Sequence, residues 1–118
     1  MAPKESFVKT FNLTILLLAL VIIVGCGSTF GQDAAAGKAV YSKKCQSCHA
    51  ADGNGNATIA SALKAEFKPL SSDEVQKMSD ADLKKVITSG MGKMKPVTGM
   101  MPADIDNVVA FVRTFKKK

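Results

Sequence analysis

Large side chains are scarce in this 118-residue sequence: there is no Trp, one Tyr and six Phe. Three of the phenylalanines, Phe7, Phe11 and Phe30, fall within residues 1–31, which read as an export segment and not as part of a fold. The remainder, residues 32–118, is too short and too poor in aromatics to build a generous core from its own side chains. Chains of that size usually need a staple, a metal or a cofactor. A broad apolar body around which helices could pack would supply the missing bulk. Arginine and histidine are as rare, with Arg113 and His49 the single examples. The formal charge is +6, and beyond residue 31 fourteen lysines and arginine stand against nine acidic residues. With one arginine and no interleaving of basic and aromatic residues, that balance does not describe a nucleic-acid surface. It permits an anionic membrane or an acidic protein as partner, and a solvated surface accounts for most of the lysines. Three cysteines, an odd number, exclude a closed disulfide framework.

The first 31 residues have the plan of a targeting sequence. Lys4 and Lys9 supply a positive start, and Phe11 to Val24 is a mostly apolar run of 14 residues, too short for a comfortable membrane span. It ends in Ile23-Val24-Gly25-Cys26, which resembles a bacterial lipobox, in which the cysteine is lipidated and becomes the mature N-terminus. On that reading Cys26 carries a lipid, and the third cysteine is explained without a disulfide. Two other outcomes stand beside it: cleavage after Gly31, giving a soluble periplasmic protein that starts at Gln32, and an uncleaved N-terminal anchor. The division expected is therefore an export segment over 1–31 and a single domain over 32–118.

No βαβ alternation, internal repeat or strand-like run appears in 32–118, and helical spacing dominates. A first helix is expected from about Asp33 to Lys44, with Asp33 as N-cap and Gly37, Val40, Tyr41 and Lys44 on one face. Gly37 in mid-helix weakens it unless a second helix crosses closely there. A second is expected from about Asp80 to Ser89, opened by Ser79 with Asp82, stopped by Gly90, and striped with Leu83, Val86 and Ile87. A third is expected from Pro102 to Phe115, with Ile105, Val108, Val109, Phe111, Val112 and Phe115 as its apolar face. Ser71–Glu74 open a short extra turn through Met78. Residues 51–60 and 90–101 read as loops.

Cys45-Gln46-Ser47-Cys48-His49 carries the chemistry. Two cysteines three apart on a helical turn can reach the two vinyl groups of one haem edge, and the following imidazole comes to lie under the iron. Three rivals are weaker. A zinc knuckle needs four nitrogen or sulfur ligands, and this region offers only Cys45, Cys48 and His49. A redox dithiol of the thioredoxin kind needs a βαβ setting. A plain disulfide leaves the adjacent histidine without a purpose. Because His49 is the single histidine, a sixth iron ligand cannot be a second imidazole. Met78, Met91, Met94, Met100 and Met101 are the soft donors available. Met94 is the first choice, in a flexible loop between Gly92-Lys93 and Pro96; Met101 is second and Met100 third, while Met78 and Met91 are expected to be packing residues.

These residues resemble a small bacterial class I cytochrome c over about Ala34 to Phe115. The likeness rests on Gly37 and Tyr41 of the first helix, the Cys45–His49 motif, Gly90-Met91-Gly92-Lys93-Met94-Lys95-Pro96, and Val108, Phe111, Val112 and Arg113 of the last helix. It implies an all-α cytochrome c fold, three main helices and a short extra turn wrapped around one covalently bound haem c. It places Gly37 and Tyr41 against Val108 and Phe111, with His49 and Met94 as the axial iron ligands. One departure stands out. The family usually has a proline soon after the haem motif whose carbonyl orients the ligating imidazole, and here no proline occurs between His49 and Pro69. Another carbonyl, within Thr58–Leu63, is expected to take that part.

The expected function is one-electron transport by a monomer on the periplasmic side, with no substrate turned over. Lys43, Lys44, Lys93 and Lys95 would steer acidic redox partners toward the haem edge. Two alternatives differ in class: a haem subunit of a larger oxidoreductase, and a gas sensor or enzyme with a labile sixth ligand.

Overall fold

Asp33 opens the first helix as its side chain accepts from the backbone N–H groups of Ala35 and Ala36, satisfying donors that the first turn leaves unpaired. The computed structural model describes residues 31–117. Cys26 and most of the expected export segment lie outside the described residues. Among the described residues six helices occur in the order α1 Ala34–Lys44, α2 Gln46–His49, α3 Ala57–Leu63, α4 Asp73–Lys77, α5 Asp80–Ser89 and α6 Pro102–Arg113. The only β pairing among the described residues is an isolated bridge between Met91 and Met94. None of the described helices is long and apolar enough to cross a membrane.

The all-α expectation holds, and α1, α5 and α6 fall where the periodicity puts them. Ser79 caps α5 by accepting from the Asp82 N–H, and Gly90 ends it. The last helix ends at Arg113, and a turn carries the chain to Phe115. The short extra turn is α4, capped by Ser72. The expected loop over 51–60 is shorter than anticipated, because α3 begins at Ala57. Asn56 caps it, accepting from Thr58 and Ile59, and Lys64 closes it in the left-handed region. Ala57, Ala60, Ala62 and Leu63 favour helix but bury nothing deeply, so the segment carried no apolar stripe to reveal it.

The core lies where α5 and α6 meet. Leu83 and Ile87 from α5 pack with Val108, Val109 and Val112 from α6, and Val40, Leu70, Val75, Met78, Val97, Met100 and Ile105 close around them. Against α6 from another side runs α1. The expected glycine crossing is present, and it is tight: a Cβ placed on Gly37 would lie 1.9 Å from the Asn107 carbonyl oxygen. One turn further on, the buried Tyr41 ring meets Phe111 at 5.1 Å between centroids and Phe115 at 5.7 Å, in tilted arrangements that aromatic rings favour. The Asp33 N–H donates to Asn107 Oδ1 at 2.8 Å and fixes the register of the two helices.

The single arginine fastens the far end of the bundle. Arg113 donates to the carbonyls of Gln76 (3.0 Å) and Met78 (2.6 Å) and, through Nε and Nη2, to Asp80 Oδ1. It thereby occupies carbonyls that the junction of α4 and α5 would otherwise leave unpaired. Its hydrogen bond is the main reason that the Asp80 carboxyl sits below the ordinary carboxylate range. Gln76 reinforces the joint by donating from its amide to Leu70 and Val112 carbonyls.

Gly37→Ala should drive α1 and α6 apart, because the new methyl group meets backbone and not a movable side chain. The expected loss is about 3 kcal/mol of folding free energy, measured by guanidinium unfolding of the haem-loaded protein.

Candidate functional site

Cys45 breaks α1 and starts the next turn: its N–H still donates to Tyr41, while the N–H groups of Cys48 and His49 both reach its carbonyl (3.2 and 2.9 Å). The five motif residues therefore form one helical turn, α2, set on the end of the helix that crosses α6. Both cysteines are free thiols and half-buried. Burial, with the neighbouring Cys48 charge second, pushes the Cys45 thiol up to about 11. It is a neutral thiol at physiological pH, unlike the depressed thiolates of redox dithiols. Among the described residues no three His, Cys, Asp or Glu side chains come together as a metal-holding group.

His49 is half-buried, and burial lowers its pKa below the ordinary histidine value, so the ring is neutral near pH 7. A neutral imidazole can give a lone pair to a metal with no proton to displace. Its Nδ1 is buried and has no hydrogen-bond partner. The expectation that a carbonyl of Thr58–Leu63 would accept from this ring is thus not met. The nearest aromatic neighbour is Phe67, its centroid 6.0 Å from the imidazole and its plane tilted by 34°. With Nδ1 enclosed by protein, Nε2 is the nitrogen left to ligate. Two half-buried thiols three residues apart and a neutral imidazole on one turn make a donor set that fits a covalently tethered haem.

The backbone after the motif is strained and locked. Ala50 has φ 61° and ψ 166°, a region that glycine alone enters readily, which costs about 1–3 kcal/mol. Tyr41 Oη donates to the Ala50 carbonyl at 2.7 Å, and the Gly53 N–H donates to the same oxygen at 3.3 Å. The loop then folds back on the motif: the N–H of Gly55 donates to His49 and that of Asn56 to Cys48, while the Asn56 amide donates to Ser47. Burial chiefly, then the charges of Cys45 and Asp52, pushes the Tyr41 phenol up to about 12, so it stays a donor at any physiological pH.

Met94 sits in a different segment, between α5 and α6. The loop expected to be flexible is a tight turn in which Met91 and Met94 exchange backbone hydrogen bonds, both 2.9 Å, around Gly92 and Lys93. Gly90 admits it, because a Cβ there would lie 2.5 Å from the Met94 carbonyl oxygen. The Val97 N–H donates to Ile87 and anchors the turn on α5. Met94 is half-buried. Met101 is exposed and caps α6, its own N–H donating to Asp104. Met100 and Met78 pack on the core. Met91, expected to pack, is 63% exposed instead, since the turn that holds Met94 points it outward. A contact from the Lys44 ammonium to the Thr98 carbonyl, 3.4 Å, links this segment to the residue before Cys45.

Sequence reading missed Phe67, Gly55 and the bond from Tyr41 to Ala50. Phe67 is a lone aromatic in the non-periodic stretch Lys64–Pro69, and nothing in its spacing ties it to His49.

The sequence profile of the family described as cytochrome C oxidase, cbb3-type, subunit III matches residues 32–112. Among solved structures the chain is similar to one named KustC0563 c-type cytochrome. The two share 30% identity over 69% of this chain and 98% of that one, with a TM-score of 0.58. No curated protein matches the chain.

Ala50→Gly should raise stability by about 1 kcal/mol, because the strain relieved exceeds the roughly 0.4–1 kcal/mol that glycine adds to unfolded-chain entropy. The shift of the denaturation midpoint of the haem-loaded protein measures it.

Proposed function

The chain belongs to the family of cytochrome c oxidase, cbb3-type, subunit III, whose domains bind haem c and transfer electrons, and from that premise we propose that it is an exported carrier of single electrons with one haem. The observation that carries this reading is the α2 turn: half-buried free thiols at Cys45 and Cys48, followed by a neutral imidazole at His49. Cys45 and Cys48 would hold the haem as thioethers, and His49 would be its proximal iron ligand. Met94 would be the distal one. When bound, haem supplies an iron that can hold or give up one electron.

The protein's own residues do the rest. The Tyr41 hydroxyl and the Gly53 N–H fix the Ala50 carbonyl, and so hold the backbone that follows His49 at the end of α2. The paired backbone bonds of Met91 and Met94 fix the turn that carries the Met94 side chain. A thioether is a soft neutral donor that favours Fe(II) over Fe(III), which gives a higher potential than two imidazoles would. With His49 and Met94 both held, little would have to reorganise on electron transfer. Lys43, Lys44, Lys93 and Lys95 are exposed on the two segments that carry these ligands, which supports attraction of acidic redox partners.

The domain spans 32–118, preceded by an export segment over 1–31. Cys26 in its lipobox-like setting supports a lipid tether on the periplasmic side, with cleavage before Gln32 as the other outcome. The family's own description favours a second reading, in which the chain is the haem subunit of a larger oxidoreductase. A partner that co-purifies in stoichiometric amount would select that reading over the free carrier.

One preparation, expressed with a haem-attachment system, tests the proposal. Intact mass should give one haem per chain and a lipidated N-terminus at Cys26. Met94→Ala should abolish the far-red charge-transfer band of the ferric protein and lower its potential by on the order of 100 mV. A colourless protein with reactive Cys45 and Cys48 thiols would end the reading, and an unchanged spectrum in Met94→Ala would remove Met94 from it. Electron exchange with an acidic partner protein should slow steeply as ionic strength rises, because screening shortens the reach of the lysines. Rates indifferent to salt would exclude steering.

A further inference from the structure

Asn54 is the one asparagine of the chain that a glycine follows; Asn12, Asn56 and Asn107 precede Leu, Ala and Val. An asparagine is chemically labile where the next backbone nitrogen can reach its side-chain carbonyl carbon, and a glycine leaves that approach open. The Asn54 side chain is exposed, in the loop that folds back on the Cys45–His49 turn. Its glycine is demanded by the fold. Gly55 has φ 90°, and a Cβ on it would lie 2.7 Å from Phe67 Cβ. A labile pair is therefore built into the loop at a place where only glycine fits.

Both reacting groups are held elsewhere. Asn54 Nδ2 donates to Asp52 Oδ2 at 2.7 Å and the Asn54 backbone N–H donates to Oδ1 at 3.0 Å, which draws the side chain back toward residue 52. Those two bonds, the backbone one first, keep the exposed Asp52 carboxyl below the ordinary carboxylate range, so the acceptor is ionised near pH 7. The nitrogen that would attack belongs to Gly55, and its hydrogen is donated to the His49 carbonyl at 2.9 Å. A backbone hydrogen committed in that way reaches solvent base only when the loop opens.

We propose that Asn54 is a modification site, deamidated spontaneously when this loop opens and protected while its bonds to Asp52 and His49 are closed. In the reaction the Gly55 nitrogen bonds to Asn54 Cγ and gives up its hydrogen. The Cγ–Nδ2 bond breaks, and ammonia leaves carrying that hydrogen. Solvent water then opens the cyclic imide at either carbonyl, leaving aspartate or isoaspartate, and nothing is oxidised or reduced. Neither product suits the loop. A carboxylate at position 54 has no hydrogen to give and meets Asp52 as a like charge. Isoaspartate also adds a carbon to the main chain just before Gly55, which displaces the Gly55 N–H from the His49 carbonyl. The modification is thus a one-way mark on molecules whose loop has opened, and it keeps the loop open beside the motif.

The test incubates the full matured chain at one pH and temperature in three states: folded wild type, wild type unfolded in guanidinium, and folded Asp52→Ala. Deamidated peptides are separated by chromatography and read by mass spectrometry. Asn54 should convert on the order of tenfold faster in the unfolded chain than in the folded one, while Asn56 and Asn107 persist as internal controls. Asp52→Ala, a change at an exposed position, should speed conversion several-fold in the folded protein by freeing the Asn54 side chain. Amide hydrogen exchange at Gly55 should be faster in Asn54→Asp than in wild type. An unfolded chain in which Asn54 lasts as long as Asn56 would remove the site. Equal rates folded and unfolded, or an Asp52→Ala rate no higher than wild type, would remove the gate, and Gly55 exchange unchanged in Asn54→Asp would remove the effect on the loop.

Discussion

Everything that concerns haem in this chain depends on how closely α1 and α6 approach each other at Gly37. The peptide at Asn107 occupies the space that any side chain at position 37 would need. That contact brings Tyr41 onto Phe111 and Phe115, and the Tyr41 hydroxyl then reaches past the end of α1 to the carbonyl of Ala50. A backbone crossing thus controls, through one aromatic side chain, the residue next to His49. The hydrophobic cluster of α5 and α6 gives the bundle its stability, and Cys45 at the start of the motif packs against it. The crossing is what turns a small core into a positioned site.

Much of this was legible in the residues. Where apolar spacing was regular, as in Leu83 to Ile87 and Ile105 to Val112, the helices lie where the pattern put them. Mid-helix Gly37 announced a close crossing, because glycine there weakens a helix without such a reason. The cysteine and histidine spacing pointed to one chemistry, because thioether attachment and axial ligation have strict geometric needs, and the structure sets the three residues on one turn. What stayed hidden has a common cause. Helix α3 buries no residue deeply and so left no stripe, and Phe67 reaches His49 across eighteen positions through a non-periodic loop. Met91 and Met94 look alike in sequence, and only the turn at Gly92 decides that one faces outward and the other is half-buried. Contacts made by loops depend on tertiary folding, which local patterns do not encode.

Two buried polar groups among the described residues are left without partners, His49 Nδ1 and Gln76 Oε1. They differ in kind. Gln76 spends its amide hydrogens on two carbonyls that join separate segments, Leu70 and Val112, and the idle oxygen is the residue of that geometry. His49 makes no such bond with its buried nitrogen, and the loop around it is built from strained or glycine-dependent backbone at Ala50, Gly53 and Gly55. Strain concentrated beside an unpaired polar atom is characteristic of a functional place in a fold and not of a structural joint.

The bond from Asp33 to Asn107 joins residues 74 positions apart, and the crossing at Gly37 spans nearly as far. Contacts of that separation are slow to form, since most of the chain must be in hand before they close. During vectorial emergence from the N-terminus, α1 leaves first and its companion leaves last. For that interval the Cys45–His49 turn has no docked helix behind it. The long reach between the two ends of this domain therefore acts as a timer for the closing of that turn.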